Sequence, residues 1–222
     1  MSEIIEDKAT TNTVSASVNA AVSIESPLHY FLGKFSGMAQ AKKGAVGLVV
    51  EEAGLRGHLN LRGNPQSELF TAGVEQVLGV TLPLSPGTFE TNGDNSIYWL
   101  GPNEWLLIVP GGSEGRTETA LRQAISGHIA IVDISGGQTL INLSGEAVAT
   151  VLKKSSGYDF HPRHFGPGRC VQTTLAKATA LVSKKADGSF DLVIRRSFAD
   201  YLASWLLDAG REFGCRIETG QR

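Results

Sequence analysis

The segment LNLRG at residues 59–63 decides how this chain folds, because a close copy, INLSG, occurs at residues 141–145. The two segments start 82 residues apart. A Pro-Gly pair at residues 86–87 also has a copy, at residues 167–168, with nearly the same spacing. Chance could produce one such match but hardly several in the same order. We therefore predict that the chain contains one structural unit twice.

Each copy shows the same predicted order of elements, which is strand, strand, helix, hairpin and helix. In the first copy, residues 46–51 and 57–61 have the composition of two strands and are expected to pair around Gly54. In the second copy, strands are expected at residues 129–134 and 139–143. The pattern therefore places a strand pair at the start of each half.

Capping signals predict where two of the helices begin and end. Asn64 followed by Pro65 is typical of a helix start, and Gly79 is expected to end that helix. Ser197 and Asp200 match a capping box at the start of the last helix.

A unit of this size is too small to bury both faces of its sheet. We expect the two halves to pack intimately, with an exchange of strands as one way of doing so. The predicted fold class is α+β, with two ferredoxin-like halves, largely antiparallel sheets and helices on one face. The halves are expected at residues 27–130 and 131–222. Residues 1–26 contain no aromatic residue, so they are predicted to form a frayed tail, or a docking arm that becomes ordered along a partner.

Composition excludes several classes of protein. With 41% hydrophobic and 19% charged residues, the 222-residue chain is neither disordered nor collagen-like. Its longest apolar runs, at residues 48–50 and 105–109, fall far short of the ~20 residues that cross a bilayer. Cys170 and Cys215 cannot form a disulfide framework, and neither has a second Cys or His at the spacing of zinc ligands. Since no signal-peptide pattern is present, we expect a soluble, cytoplasmic protein.

Charge is distributed unevenly along the chain. Residues 1–150 carry a formal charge of −7, and residues 151–222 carry +5. The two ends are therefore expected to attract each other or a polar partner. Basic residues occur as scattered pairs and form no stripe interleaved with aromatic residues, so nucleic-acid binding is not expected.

Catalytic signatures are absent from the sequence. It contains no nucleophile elbow, phosphate-binding loop, HExxH zinc motif or dinucleotide-binding fingerprint. His161 and His164 are separated by a proline and lack a third ligand nearby, so a solvated or interface loop is expected there. Asp133 and Ser135 would form a base and a nucleophile only if a distant histidine joined them. We predict no catalytic, cofactor-binding or metal-binding residue in this chain.

Two tryptophans flank a Gly-Pro-Asn-Glu turn. Trp99 and Trp105 are predicted to lie on the two strands of a hairpin around that turn. The sequence does not reveal the register of the hairpin, so the two indoles cannot be assigned to one face. They belong either to the core or to an interface, and both alternatives stay open.

Six short segments carry a resemblance to a known family. They are LRG at 61–63, VLGVTLP at 77–83, WLGPNEWLL at 99–107, DIS at 133–135, LSG at 143–145 and RSFADY at 196–201. In that order they resemble the gamma subunits of heterotetrameric sarcosine oxidases, over roughly residues 45–215. The resemblance implies a fold related to the folate-binding part of the aminomethyltransferases, in agreement with the duplicated α+β prediction.

The resemblance also implies a function. In that family the assembly oxidises sarcosine with oxygen and tetrahydrofolate, giving glycine, hydrogen peroxide and 5,10-methylenetetrahydrofolate. FAD, FMN, NAD, zinc and tetrahydrofolate are associated with the alpha, beta and delta subunits. The resemblance therefore implies a non-catalytic structural subunit that docks on those three partners. We expect Trp99, Trp105, Arg196 and Tyr201 to lie at or support the interfaces, together with residues 1–26.

The alternative is a free-standing tetrahydrofolate-binding or one-carbon transfer protein. It predicts a pocket between the halves, lined by aromatic side chains, with a carboxylate for the pterin ring and basic residues for the glutamate tail. Glu104, Asp133, Arg62 and Arg196 are candidates for those charges, but nothing in the sequence makes them converge.

Overall fold

The computed structural model describes residues 25–30 and 46–219. The strands, in chain order, are β1 (Leu48–Glu52), β2 (Arg56–Arg62), β3 (Phe89–Asn92), β4 (Asn95–Gly101), β5 (Glu104–Pro110), β6 (Ala130–Asp133), β7 (Gln138–Ser144), β8 (Cys170–Leu175), β9 (Ala178–Lys184), β10 (Phe190–Arg195) and β11 (Cys215–Thr219). The helices between them are α1 (Glu68–Leu78), α2 (Glu114–Ala124), α3 (Val148–Ser155) and α4 (Ala199–Gly210). No helix within these residues is long and apolar enough to span a membrane.

The strands form two sheets, and each sheet contains a strand from the other half of the chain. The five-stranded sheet has the order β3-β4-β5-β2-β6, and the six-stranded sheet has the order β11-β1-β7-β10-β9-β8. β1 precedes β2 in the chain but pairs with β7 and β11. β6 precedes β7 but pairs with β2. The expected exchange of strands is therefore confirmed.

The predicted pairing of residues 46–51 with residues 57–61 is wrong, because β1 and β2 lie in different sheets. The turn residue Gly54 does have a positive φ of 62°, but the chain passes there from one sheet to the other instead of folding back. Local turn chemistry does not distinguish these two outcomes. The pairing of β1 with β11 is parallel, in sheets that are otherwise antiparallel.

The repeat in the sequence is visible in the burial of two matching strands. β2 and β7 share one pattern of buried and exposed positions along their seven residues. Leu59 and Leu61 in β2 are wholly buried, as are Ile141 and Leu143 in β7. The duplicated α+β architecture is thus confirmed, whereas the division of the chain between residues 130 and 131 stays a prediction.

Each sheet has helices on one face and the other sheet on its opposite face. Leu59 and Leu61 pack with Phe70 and Val74 of α1 in one core cluster. The equivalent cluster of the second half joins β1, β7, β9 and β10 to α3 and α4. A third cluster, which includes Tyr98 and Leu140, lies between the sheets. The structure therefore has two intimately packed halves with their helices outermost.

Two pairs of matching hydrogen bonds join the halves. The N–H of Cys170 donates to the carbonyl oxygen of Gly87 at 2.9 Å, and the N–H of Phe89 donates to that of Gly168 at 3.3 Å. Both Pro-Gly copies therefore meet at the junction, with φ of 67° at Gly87 and 78° at Gly168, a region of backbone space that favours glycine. Near β1 and β6, Ala53 N–H donates to Leu140 and Ile134 N–H donates to His58, at 3.0 and 2.9 Å.

The end of α1 was predicted correctly, whereas the starts of α1 and α4 were not. Gly79 ends α1 in the left-handed region, as expected, but the N-cap is Ser67. Asn64 instead accepts the N–H of Gln66 at 3.0 Å in a turn before the helix. The predicted capping box at Ser197 is wrong, because a 3₁₀ turn at Arg196–Phe198 precedes α4 and no side chain caps that helix.

Candidate docking site

A short segment near the start of the chain is fixed to the second half. Leu28 is buried in the core cluster of that half. The carboxyl group of Glu52, which is 4% exposed, accepts hydrogen bonds from Ser26 Oγ at 2.5 Å, from Leu28 N–H at 3.2 Å and from Thr139 Oγ1 at 3.1 Å. We call residues 25–30 the anchored segment. Most of the predicted tail or arm, residues 1–24, lies outside the described residues.

A cleft of about 580 Å³ separates the anchored segment from the start of α4. Arg195, Arg196 and Asp200 line one side, and Glu25 and Tyr30 line the other. The guanidinium of Arg196 donates to the carbonyl oxygen of Glu25 at 3.2 Å, which joins α4's start to the anchored segment at one end of the cleft. Among the described residues, neither arginine forms an ion pair with a carboxylate. Both guanidinium groups can therefore bind an external acceptor.

An exposed aromatic face continues from this cleft along α4. Phe198, Tyr201 and Trp205 are 39%, 36% and 37% exposed. Their spacing places the three rings on one face of the helix. Trp205 is held in place because its Nε1–H donates to Ser155 Oγ at 3.0 Å. We call Arg195, Arg196, Phe198, Tyr201 and Trp205 the arginine–aromatic surface.

The structure brings two of the predicted interface residues, Arg196 and Tyr201, into this surface. Trp99 and Trp105 lie elsewhere, opposite each other in the β4–β5 hairpin and packed in the first core cluster. Trp105 is wholly buried, and its Nε1–H donates to the carbonyl oxygen of Pro83 at 2.8 Å. Of the two open alternatives, core and interface, the core is correct for Trp105, because its indole has no surface to offer a partner. Trp99 is partly buried against the same cluster.

The sequence analysis missed Phe198 and Trp205 as surface residues. Both belong to a run of apolar residues at helical spacing in the last helix, and such spacing alone does not show which apolar positions face the core. Seven apolar side chains in and around a helix of 12 residues are more than one buried stripe needs, and this excess was the available signal.

Asp133 and Ser135 are close together but have no histidine partner among the described residues. Asp133 Oδ1 accepts from Ser135 Oγ at 2.5 Å and from its N–H at 2.9 Å, which closes a local turn. Ser135 Oγ also accepts the backbone N–H of His58, whose ring instead contacts Gln138 Oε1 at 3.0 Å. The arrangement stabilises the crossing from β6 to β7.

His161 and His164 lie on an exposed loop. Their rings are 6.4 Å apart, and His164 Nε2 lies 3.7 Å from a carboxylate oxygen of Asp159. Within residues 25–30 and 46–219, no three His, Cys, Asp or Glu side chains are grouped as a metal site would require. The prediction of a solvated or interface loop agrees with this exposure.

Buried titratable groups lie between the sheets. Burial lowers the pKa of His58 below its usual value, and the hydrogen bond to Gln138 offsets only part of that effect. Burial raises the pKa of the Cys170 thiol to about 12 and also raises the pKa of the Tyr98 hydroxyl. At neutral pH these three groups are therefore uncharged, and their burial makes them structural rather than reactive.

The charges expected for a folate pocket do not converge. Arg62 Nη2 pairs with Glu104 Oε2 at 2.9 Å, and Glu104 Oε1 also accepts from Asn60 Nδ2 at 2.8 Å. Asp133 is bonded to Ser135, whereas Arg196 lies at the cleft beside the anchored segment. The four charged residues therefore lie at three separate positions: the Arg62–Glu104 ion pair, the turn at Asp133 and the cleft at Arg196.

The sequence comparisons with known proteins match this chain to one family. A family model described as "Sarcosine oxidase, gamma subunit family" matches residues 62–212. The sarcosine oxidase subunit gamma of Corynebacterium sp. (strain P-1) is 34% identical over 178 residues, which cover 79% of this chain and 86% of the relative. The protein of the same name from Arthrobacter sp. is also 34% identical, with the same coverage.

Solved structures show the same relationship. A chain of the heterotetrameric sarcosine oxidase from Corynebacterium sp. U-96, in complex with pyrrole 2-carboxylate, superposes with a TM-score of 0.76 and 29% identity. The match covers 86% of this chain and 96% of that chain. The aminomethyltransferase T of the glycine cleavage system from Bartonella henselae shares the fold, with a TM-score of 0.61 and 14% identity over 89% of this chain and 59% of that chain. The chain described here belongs to the sarcosine oxidase gamma subunit family.

Proposed function

We propose that this chain is the non-catalytic structural gamma subunit of a heterotetrameric sarcosine oxidase, docked on the alpha, beta and delta subunits. The observation that carries the proposal is the superposition on a chain of such an enzyme, over 86% of this chain and 96% of the other. The match covers nearly all of the other chain, so it supports a role for this chain like that of a whole subunit.

The described residues supply structural reasons for a non-catalytic role. The acidic and hydroxyl groups that come together at Asp133 and Ser135 are bonded to each other and to backbone. His58, Cys170 and Tyr98 are buried between the sheets, where burial shifts each pKa toward the neutral form. A general acid or base needs access to substrate, and these three buried groups lack it.

In this proposal the oxidation of sarcosine and the transfer of its one-carbon unit to tetrahydrofolate take place on the other subunits. FAD, FMN, NAD, zinc and tetrahydrofolate are held there, and the duplicated core of this chain acts as a rigid support. The site of action is cytoplasmic.

The experiment is co-expression of the tagged chain with the alpha, beta and delta subunits, followed by native mass spectrometry and absorbance from 350 to 500 nm. We expect a colourless chain when it is expressed alone, and a yellow assembly near the summed subunit mass when all four are present. A stable monomer that ignores those subunits and retains folate would instead support the free-standing one-carbon protein.

The non-catalytic part of the proposal has its own test. In the purified assembly, the variants Asp133→Asn and His161→Ala should leave kcat for sarcosine within about twofold of the unaltered enzyme, because neither group touches substrate in this proposal. A loss of 100-fold or more, the scale typical of a missing acid or base, would show that this chain takes part in catalysis.

A further inference from the structure

We infer that the arginine–aromatic surface, with the cleft beside it, docks an acidic peptide segment of a larger oxidase subunit. The inference rests on the proposed function and adds the site and the chemistry of its partner. It draws on three features of the second half: the face of α4, the two arginines and the composition of the cleft.

The duplication provides an internal comparison for the face of α4. Counted from their first residues, α2 and α4 have the same inner face, since Leu121 and Leu206 are both wholly buried at matching positions. On the outer face, Ser113, Arg116 and Ala120 of the first half stand where the second half has Phe198, Tyr201 and Trp205. In the first half these positions carry small or charged residues, of which Arg116 is exposed and Ser113 and Ala120 are half-buried. The second half instead carries three large rings there.

Those rings have the character of an interface anchor. Trp, Tyr and Arg are the residues that contribute most to binding at protein interfaces, and they do so when grouped and held rigidly. Trp205 is fixed by its hydrogen bond to Ser155, and the backbone of Phe198 belongs to the 3₁₀ turn that precedes α4. Each ring leaves more than a third of its surface exposed. A partner that covered them would bury apolar surface at little cost in side-chain entropy.

The two arginines determine the charge of the partner. Arg195 and Arg196 are exposed at the cleft and lack a carboxylate partner among the described residues. A guanidinium group binds a carboxylate through two parallel hydrogen bonds, so adjacent Asp or Glu side chains are its natural complement. Both arginines belong to residues 151–222, whose net charge of +5 also favours an acidic over a basic segment at close range.

The cleft indicates that the partner is a peptide and not a small anion. Its lining includes Glu25 and Asp200 as well as the two arginines. A peptide can satisfy both kinds of residue, because its backbone N–H groups can donate to acidic side chains while its own carboxylates accept from the arginines. A fully ionised phosphate or sulfate has no donors for the acidic side chains.

The test uses the other three oxidase subunits and two groups of variants of this chain. Purified chain is titrated into the co-expressed alpha, beta and delta subunits, and the Kd is measured by biolayer interferometry at 50 and 500 mM NaCl. The docking variants are the double change Arg195→Glu/Arg196→Glu and the single change Tyr201→Ser. The matched controls are Arg116→Glu on the equivalent helix and Leu69→Ala, another exposed apolar side chain.

We expect the double charge reversal to raise the Kd more than tenfold at 50 mM NaCl and to remove most of its salt dependence. Tyr201→Ser should raise the Kd at both salt concentrations, and the controls should stay within twofold. Far-UV circular dichroism of each purified variant confirms that it is folded.

Two results would overturn the inference, and they are distinguishable. If the unaltered chain binds and the docking variants bind as tightly as the controls, this surface is not the docking site, although the proposed function stands. If the unaltered chain does not bind the other three subunits at all, the proposed function fails together with the inference.

Discussion

The two halves of this protein agree in their interior and differ on their surface. β2 and β7 have the same pattern of burial, and the Pro-Gly copies make matching hydrogen bonds at the junction. The outer faces of α2 and α4 instead carry different residue types at matching positions. The interior is restrained by packing on both sides, whereas a surface position is free to change once one half acquires a partner.

A second difference between the halves concerns two acidic residues at the ends of the exchanged strands. Glu52 ends β1 and Asp133 ends β6, and the next residue in each case donates to the opposite half. Glu52 is buried and holds the anchored segment, whereas Asp133 is exposed and bonds only within its own turn. The acidic side chain at the end of the strand therefore holds the anchored segment in one half and stabilises a local turn in the other.

The largest expected effect tests whether the halves form one cooperative unit. Leu61→Ala and Leu143→Ala remove matching, wholly buried side chains, so each should lower the free energy of unfolding by about 2–5 kcal/mol. Because each sheet contains a strand from the other half, we expect both variants to shift one common urea transition, observed by far-UV circular dichroism and tryptophan fluorescence.

Leu69→Ala is the control for this pair, since its exposed side chain should change stability by no more than about 0.5 kcal/mol. Two separate transitions, or a variant that shifts the fluorescence transition without the dichroism transition, would show that the halves unfold independently despite the exchanged strands.

The next effect tests the difference between the two acidic residues. Glu52→Ala leaves Ser26 Oγ, Leu28 N–H and Thr139 Oγ1 without their acceptor, so we expect a loss of about 2–3 kcal/mol in urea unfolding. The matched variant Asp133→Ala should lose less than about 1 kcal/mol, because its partner Ser135 can bond to water. Equal losses would mean that the anchored segment adds nothing to the stability of the second half.

The smallest effect concerns a histidine that stands where the second half has a leucine. His58 and Leu140 occupy matching positions between the sheets. Burial lowers the pKa of His58 in the folded state, with Gln138, Asp133 and Arg56 as the polar groups that face it. The unfolded chain takes up a proton below about pH 6.5 while the folded chain resists it, so stability is full above that pH and falls below it.

His58→Leu should remove this slope, which is at most about 1.4 kcal/mol per pH unit for one group. The measurement is the free energy of unfolding at pH 7.5 and 5.5, compared between the unaltered chain and the variant. His128→Leu, at an exposed position, is the control substitution. A variant at His58 that loses stability in acid as steeply as the unaltered chain would assign the pH dependence to other groups.

Several features of the fold could be read from local patterns. These features depend on periodicity or turn chemistry within a few residues. They are the repeat, the alternation of apolar residues in β2 and β7, the hairpin around Trp99 and Trp105, and the glycine at the end of α1. The hairpin of β8 and β9 was not predicted, because its turn at Ala176 and Lys177 lacks the usual Gly, Asn or Asp.

The candidate site could be predicted only in part. Arg196 and Tyr201 came from the family resemblance, and the structure places both in the arginine–aromatic surface. The sequence could not show whether Trp105 lies in the core or at the surface, because a tryptophan on a strand can face either side. The register of β5 with β4 decided its position. Glu52 was missed because a strand-end acid is usually exposed, and only the distant Ser26 and Leu28 make its burial favourable.

The sequence thus specified which segments become strands and helices, and that they occur twice, because those properties depend on neighbouring residues. The tertiary structure decided that β1 and β6 exchange sheets, that the anchored segment reaches Glu52, and that α4 leaves three rings uncovered. These outcomes depend on burial between residues far apart in the chain. Each depends on the free energy of packing whole faces of sheets and helices together. That free energy cannot be read from the sequence of any one segment.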